Sequence, residues 1–471
     1  MNSSYTPTIG LEIHAELKTK SKMFCSCIND PHDGEPNKHI CPVCTAQPGA
    51  LPVVNRQAVE NVLLVGTALG STIADFTEFD RKNYFYPDIP KAYQISQYQY
   101  PLVSGGELGG VAITRVHLEE DTARSQHDQT PGSVVDFNRA GVPLMELVTE
   151  PVMHDAATAR IFAKELQLLL RTLGVSDANM ERGEMRVEAN ISISKTGELG
   201  TKVEVKNLNS FKAVEGAIAY ELRRQEEVLE AGGEVTQETR GWDEHKVRTF
   251  SQRTKETAHD YRYFPDPDIT QSNLSQITEF NNSRLTEIMP DLPNKNRDRW
   301  SEMGISRDLI EVLVADLRLT QLFNQALSEA DDDAKAPVLL ANYIASDAQS
   351  LLQLDEKPLH EAAPGSLAIL VKLLIAEEIN SRVAKDLLPE ILFDGIDPDT
   401  AATERNLKQL SSPEALTDLV TEIVSENTEV VAEFKAGKEA SLKFLVGQGM
   451  KKSKGTANPQ VLEQLLKDTI C

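Results

Sequence analysis

The sequence is short of aromatic residues, of positive charge and of long apolar runs, and each shortage excludes something. Aromatic residues make up 6% of its 471 positions, with only two tryptophans, so a large stacking platform for single strands is not expected. Lys and Arg number 48 against 72 Asp and Glu, a net charge of −24. That balance argues against broad, unspecific nucleic-acid binding but leaves room for a local basic face. No apolar run is long enough to span a bilayer, and residues 1–8 are polar, so no signal peptide, no membrane contact and a cytoplasmic location are expected. Cysteines number five. Four lie between positions 25 and 44 and the fifth is Cys471; such clustering points to a metal rather than to disulfides. Neither an internal repeat nor a low-complexity segment is present.

What is there begins with residues 8–18, T-I-G-L-E-I-H-A-E-L-K. Apolar and polar residues alternate without a break. Ile9, Leu11, Ile13, Ala15 and Leu17 fall on one side of an extended strand, and Glu12, His14 and Glu16 on the other. Successive polar side chains stand about 6.7 Å apart, close enough to line one pocket. Two carboxylates and an imidazole on one face suit a hard-metal site. A solvated strand face of mixed charge is the alternative.

Cys25-x-Cys27 and Cys41-Pro-Val-Cys44 form two close pairs separated by a loop, the spacing of a four-thiolate zinc site. Four reduced thiols in a loop are the plainer alternative. His14-Ala15-Glu16 followed by Cys41-Pro-Val-Cys44 also approaches the H-x-E…P-C-x-x-C pattern of zinc nucleobase deaminases. However, Ile40 stands where that pattern has proline, and Cys25 with Cys27 already completes a four-sulfur set without His14.

Helical spacing predicts helices over 52–69, 155–173 and 212–231, each with glycine just beyond its end. Residues 79–97, dense in Arg, Lys, Asn, Tyr and Gln and stiffened by two prolines, could line a polar pocket for phosphate and an amino acid, or form a surface loop. The glycines at 105–110 lack the strand-to-helix setting of a phosphate loop and read as a hairpin turn. Residues 111–121 form a second alternating strand, with His117 and Glu119 on one face and Glu120 and Asp121 at its end. Residues 185–194 place Arg186, Glu188 and Asn190 on one face, and 200–207 place Lys202, Glu204 and Lys206 on another. Four strands with such faces fit an antiparallel sheet whose polar side meets a ligand. After a linker at 290–293 the strand pattern stops. Residues 294–400 read as helices broken near 331–333 and 364–365, and 401–471 as a last helical unit. Lys443, Lys451, Lys452 and Lys454 form a basic cluster there.

Several of these stretches are long: I-G-L-E-I-H-A-E-L, F-D-R-K-N-Y-F-Y-P-D, K-A-Y-Q-I-S-Q, H-L-E-E-D, V-K-N-L-N-S-F, D-Y-R-Y-F-P-D-P-D and F-L-V-G-Q-G-M-K-K-S-K-G-T-A-N-P. Together, across residues 9–466, they resemble the B-subunit family of the aspartyl/glutamyl-tRNA(Asn/Gln) amidotransferases. The resemblance implies an α+β fold: a catalytic antiparallel-sheet cradle related to glutamine synthetase that takes ATP, magnesium and the aminoacyl-tRNA 3′ end (1–293), an all-α helical domain (294–400) and a small all-α tail that touches tRNA (401–471). It implies a ligase in a heterotrimer with an amidase A subunit and a C subunit. The substrate would be misacylated Glu-tRNA(Gln) or Asp-tRNA(Asn), whose side-chain carboxylate is phosphorylated by ATP and then amidated with ammonia that the A subunit releases from glutamine.

That chemistry accounts for the residues. ATP and a carboxylate are both anionic, so magnesium must bridge them. By their place in the family motifs, Glu12, His14, Glu120, Glu188 and Glu204 would bind magnesium with Glu119 close by. Arg186 and Lys202 would neutralise phosphate charge, and Lys443, Lys451, Lys452 and Lys454 would contact tRNA. The family usually reads E-E-G-S-L-R-x-D where this chain has E-R-G-E-M-R-V-E, so Arg182 replaces an acid and Glu188 an aspartate. The cysteine pairs occur in part of the family, with zinc as their implied ligand.

Overall fold

The computed structural model describes residues 4–126, 132, 134–254, 261–354, 357–409, 413–453 and 457–470. The chain divides into two compact units, residues 1–293 and 294–471.

The first unit is built on a ten-stranded sheet whose central strand is Thr6–Glu16. Its unbroken alternation lets one side be wholly apolar, and Ile9, Leu11, Ile13 and Ala15 are buried. Met185–Ser194 and Pro143–Thr149 flank it, both antiparallel. Beyond Pro143–Thr149 lies Val111–Glu120, and beyond Met185–Ser194 lies Val203–Leu208. The sheet is not antiparallel throughout: Val203–Leu208 pairs in parallel with Glu238–Asp243. The helix Phe211–Glu230 runs between those two strands, the kind of crossover that a parallel pair requires.

Three helices complete the core beneath the sheet: Arg56–Ala68, Ala156–Thr172 and Phe211–Glu230. Their inward residues, among them Val62, Phe162, Leu166 and Val214, join the apolar side of the sheet in one cluster. Side chains of Asn55, Asp155 and Ser210 cap the three N-termini by accepting from the amides of Ala58, Thr158 and Ala213. Such caps set where each helix starts, which moves the first from the expected position 52 to Arg56. With the helices on one face, the acids and bases of the strands are left on the other. A small antiparallel sheet of Asp80–Asn83, Tyr93–Ser96 and Phe264–Pro265 belongs to the same unit.

The second unit is helical as far as it is described. Pro293–Glu302 opens on its proline, a favoured first helical residue. Pro364 likewise lies in the first turn of Ala363–Ile375. The last helices, Pro413–Glu426, Thr428–Lys435, Glu439–Lys452 and Pro459–Ile470, share a core of Leu416, Val420, Ile423, Leu445, Leu462 and Leu466. A Cβ on Gly449 would press on the side-chain ends of Leu462 and Ile423, so glycine lets these helices pack closely. Among the described residues no helix is long and apolar enough to cross a membrane.

Candidate functional site

Register places the polar side chains in rows across the sheet. His14 is directly opposite Arg186 on one neighbour and Glu146 on the other, and Glu146 is opposite His117. One residue pair along, Glu12 is opposite Glu188. The strand alternation therefore becomes a two-dimensional patch of acids and imidazoles.

The groups converge. His14 Nε2 lies 3.4 Å from Glu146 Oε2 and 3.8 Å from both Glu12 Oε1 and Glu119 Oε1. His117 Nε2 lies 3.5 Å from Glu146 Oε2. Glu12, His14 and Glu146 can offer ligand atoms within 4.8 Å of one another, and so can Glu12, Glu188 and Glu204. Glu12 belongs to both sets. Lysine and arginine side chains meet the excess of acid. Lys206 Nζ donates to Glu188 Oε2 at 2.6 Å and lies 3.8 Å from Glu204. Lys82 Nζ is 3.9 Å from Glu119 Oε2, which is buried and accepts no hydrogen bond among the described residues. Arg186 Nη2 donates to Asp121 Oδ2 at 2.7 Å.

Electrostatics follow from this crowding. Burial first, then the charges of Glu146 and Glu188, push the Glu12 carboxyl up to about 7. Burial alone would lower His14, but the Glu146 hydrogen bond and the surrounding carboxylates win and raise it to about 9. Glu146 is held well below the usual carboxylate range against its burial, by His117 and His14. Burial lowers His117. Burial alone would lower Lys82, but Glu119 together with Tyr263, Glu146 and Tyr84 raises it well above its ordinary value. Acids that strain to stay ionised and a buried carboxylate oxygen without a donor fit an oxygen-ligated divalent cation. Such an ion would relieve both conditions.

The structure sorts the residues expected from sequence. Glu12, His14, Glu119, Glu188 and Glu204 come together on the polar face. Arg186 borders them but is engaged by Asp121. Glu120 departs from the expected arrangement, because adjacent strand residues point to opposite faces. It faces Lys91 Nζ at 2.6 Å and accepts from the Ile95 amide at 3.0 Å. Lys202 lies just before the strand Val203–Leu208 and is exposed; Lys206 occupies the position among the carboxylates. Sequence reading missed Glu146 altogether. Its signal was there, a lone carboxylate in the apolar run P-L-M-E-L-V-T.

The four cysteines also converge, with their sulfurs within 4.8 Å of one another. A zinc ion with Zn–S near 2.3 Å would hold its sulfurs about 3.8 Å apart, and Cys41 Sγ and Cys44 Sγ are 3.8 Å apart. The Cys41 amide donates to Cys44 Sγ at 3.1 Å. Lys22, fully buried, lies 3.9 Å from the same sulfur and donates to the Phe137 carbonyl. A hydrogen bond from Cys25 and the nearby Lys22 charge pull the Cys44 thiol down to about 5 despite burial. His14 takes no part: its partners are carboxylates, and the sulfurs assemble without it. The deaminase reading is thereby overturned.

In the tail, Lys443, Gly447 and Lys451 stand four residues apart on the helix Glu439–Lys452, and all three are exposed. Lys452 differs from them: its Nζ lies 2.7 Å from both Glu422 and Glu426. Lys454 and Cys471 lie outside the described residues.

Comparison with known proteins gives a family. Residues 7–278 match the model described as the GatB/GatE catalytic domain, and 321–470 match the GatB domain. The B subunit of aspartyl/glutamyl-tRNA(Asn/Gln) amidotransferase from Thermoanaerobacter pseudethanolicus is 42% identical over 482 residues, covering 99% of each chain. The protein of the same name from Thermus thermophilus is 44% identical over 475 residues, again covering 99% of each.

Proposed function

Since the chain belongs to the B-subunit family of the aspartyl/glutamyl-tRNA(Asn/Gln) amidotransferases, we propose that its acidic sheet face activates the side-chain carboxylate of Glu-tRNA(Gln) or Asp-tRNA(Asn). The observation that carries this reading is Glu12, shared between two ligand sets on one strand face. A side-chain carboxylate is a poor electrophile: it is anionic and its oxygen leaves badly. Its oxygen attacks the terminal phosphorus of ATP and ADP departs. Ammonia then attacks the acyl carbon, and phosphate leaves with the electron pair. The products are Gln-tRNA(Gln) or Asn-tRNA(Asn).

Two metal positions, one at Glu12, His14 and Glu146 and one at Glu12, Glu188 and Glu204, would hold magnesium. Bound there, the ions would supply charge neutralisation for the phosphates. The chain's own residues do the rest. Glu146 holds His14 in place between Glu12 and Glu119. Lys206 fixes Glu188, and the Thr239 hydroxyl, donating to Glu204 Oε2 at 2.8 Å, fixes Glu204. Lys82, beside Glu119, is placed to meet transferred phosphate charge. Glu120 would join the set only on leaving Lys91.

Ammonia would come from a glutaminase partner, the A subunit, with a C subunit completing a cytoplasmic heterotrimer. A cradle related to glutamine synthetase, a helical domain to residue 400 and a tail from 401 are the domains of this reading. The four cysteines would hold a structural zinc. The tail would meet tRNA phosphates with Lys443 and Lys451, where Gly447 between them lets a backbone approach closely. The test is an assay of the assembled enzyme on Glu-tRNA and Asp-tRNA. Amide formation that depends on both ATP and glutamine supports the reading. Binding of tRNA without ATP-dependent chemistry would leave only a scaffold.

A further inference from the structure

The Lys22 side chain is fully buried, a rare state for lysine unless an opposite charge is at hand. Among the described residues its partners are the Phe137 carbonyl, to which Nζ donates at 3.1 Å, and Cys44 Sγ, 3.9 Å away. No carboxylate is among them. Of these two partners only the sulfur can become an anion.

The surrounding backbone holds the lysine in place. The Lys22 amide donates to the Cys27 carbonyl at 3.0 Å, and the Lys22 carbonyl accepts from Asn55 Nδ2 at 3.2 Å. The next amide, of Met23, donates to the Gly141 carbonyl at 2.7 Å. Segment 136–138, which supplies the Phe137 carbonyl, is stitched to segment 35–39 ahead of the second cysteine pair. The Asn37 amide donates to Asp136 Oδ1 at 2.9 Å, the Phe137 amide to Asn37 Oδ1 at 2.8 Å and the His39 amide to Asn138 Oδ1 at 2.9 Å. Lys22 therefore cannot turn out to water without opening the segments that carry the cysteines.

Charge then decides what the lysine does. Four thiolates around one divalent zinc leave two negative charges in excess. Cys44 is only 4% exposed, so water offsets little of that excess at its sulfur, and a buried cation beside it does so instead. The converse also holds. Without zinc, and with the sulfurs protonated, the ammonium would be buried against neutral groups, which is unfavourable.

We propose that Lys22 acts on the metal through Cys44: its buried ammonium balances the charge of the cysteine cluster and so sets how tightly zinc is held. The inference rests on the zinc reading of the cysteines and adds to it a residue outside the ligand set. Partners of a ligand that do not touch the metal commonly change metal affinity about 10–100-fold.

The test measures zinc affinity of the full chain by competition with a chromophoric chelator. Lys22→Met keeps the length of the side chain without its charge, and Lys22→Gln keeps a donor for the Phe137 carbonyl. Both should hold zinc about 10–100-fold more weakly than wild type. Cobalt loaded in place of zinc should give a four-thiolate spectrum in all three proteins, because the ligands remain. Zinc should raise the melting temperature of wild type by more than that of either variant. Equal affinity in all three proteins overturns the proposal. So does a Lys22→Gln that binds as wild type beside a weak Lys22→Met, which would make the Phe137 hydrogen bond responsible and not the charge. A cobalt spectrum that loses a thiolate in both variants overturns it too, since Lys22 would then only place Cys44. A wild type that binds no zinc contradicts the cysteine reading itself.

Discussion

Glu12 and Glu188 stand directly opposite each other on adjacent antiparallel strands, both on the polar face. Like charges in that relation are destabilising, and Lys206 contacts Glu188 at 2.6 Å while adding its charge to the pair. The sheet therefore keeps an unfavourable pairing at its centre.

The first prediction is a stability gain from losing a site residue. Glu12→Gln removes the charge that Glu146 and Glu188 oppose. Without divalent metal at pH 8, the variant should be more stable by on the order of 1–2 kcal/mol. Chemical denaturation in a chelator measures it. A variant that loses stability there would mean Glu12 is structurally required.

The second concerns pH. Glu12 has its folded value raised from 4.5 to about 7, so ionising it in the fold costs stability as pH climbs through that window. His14 is raised from 6.5 to about 9. Its contribution is fully present below 6.5 and is lost as pH rises through about 9. The metal-free protein should therefore melt lower at pH 9 than at pH 6. Magnesium, which needs ionised Glu12 and unprotonated His14, should raise the melting temperature more at pH 9. An increment that shrinks with pH would count against these ligands.

The third concerns the cysteines. One zinc per chain is expected after metal-replete expression. Cys25→Ser and Cys41→Ser should each lower it, and His14→Ala should not. Elemental analysis decides; zinc far below one equivalent in the wild type would remove the site.

The fourth separates the tail lysines. Lys443→Ala and Lys451→Ala should each lower the salt slope of tRNA binding by roughly one unit or slightly less. Lys452→Ala should change it little, because Glu422 and Glu426 already hold that charge. Equal slopes for all three variants would contradict this assignment.

How much of this was legible depends on distance along the chain. The strand 8–18 announced itself, since alternation is a local property, and so did the cysteine pairs and the helices. Glu119 and Glu120 differ because neighbours on a strand face opposite ways, a local rule that a motif match overrides. Glu146 was visible as a lone carboxylate in an apolar strand, but its meaning came only from lying opposite His14. Lys452 looked free because its partners sit on another helix. The parallel strand pair likewise depends on where a helix returns the chain.

The central claim is that the Glu12 face activates the carboxylate, and ATP-dependent phosphorylation of Glu-tRNA by the assembled enzyme tests it most directly. Glu12→Gln keeps the shape and removes one charge from both ligand sets. The expected result is a rate about a thousandfold lower, equivalent to ~4 kcal/mol of transition-state stabilisation. Affinity for tRNA and basal glutamine hydrolysis by the partner should stay near wild type. Phosphorylation by Glu12→Gln at a near wild-type rate would contradict the account and return this face to an ordinary polar strand surface.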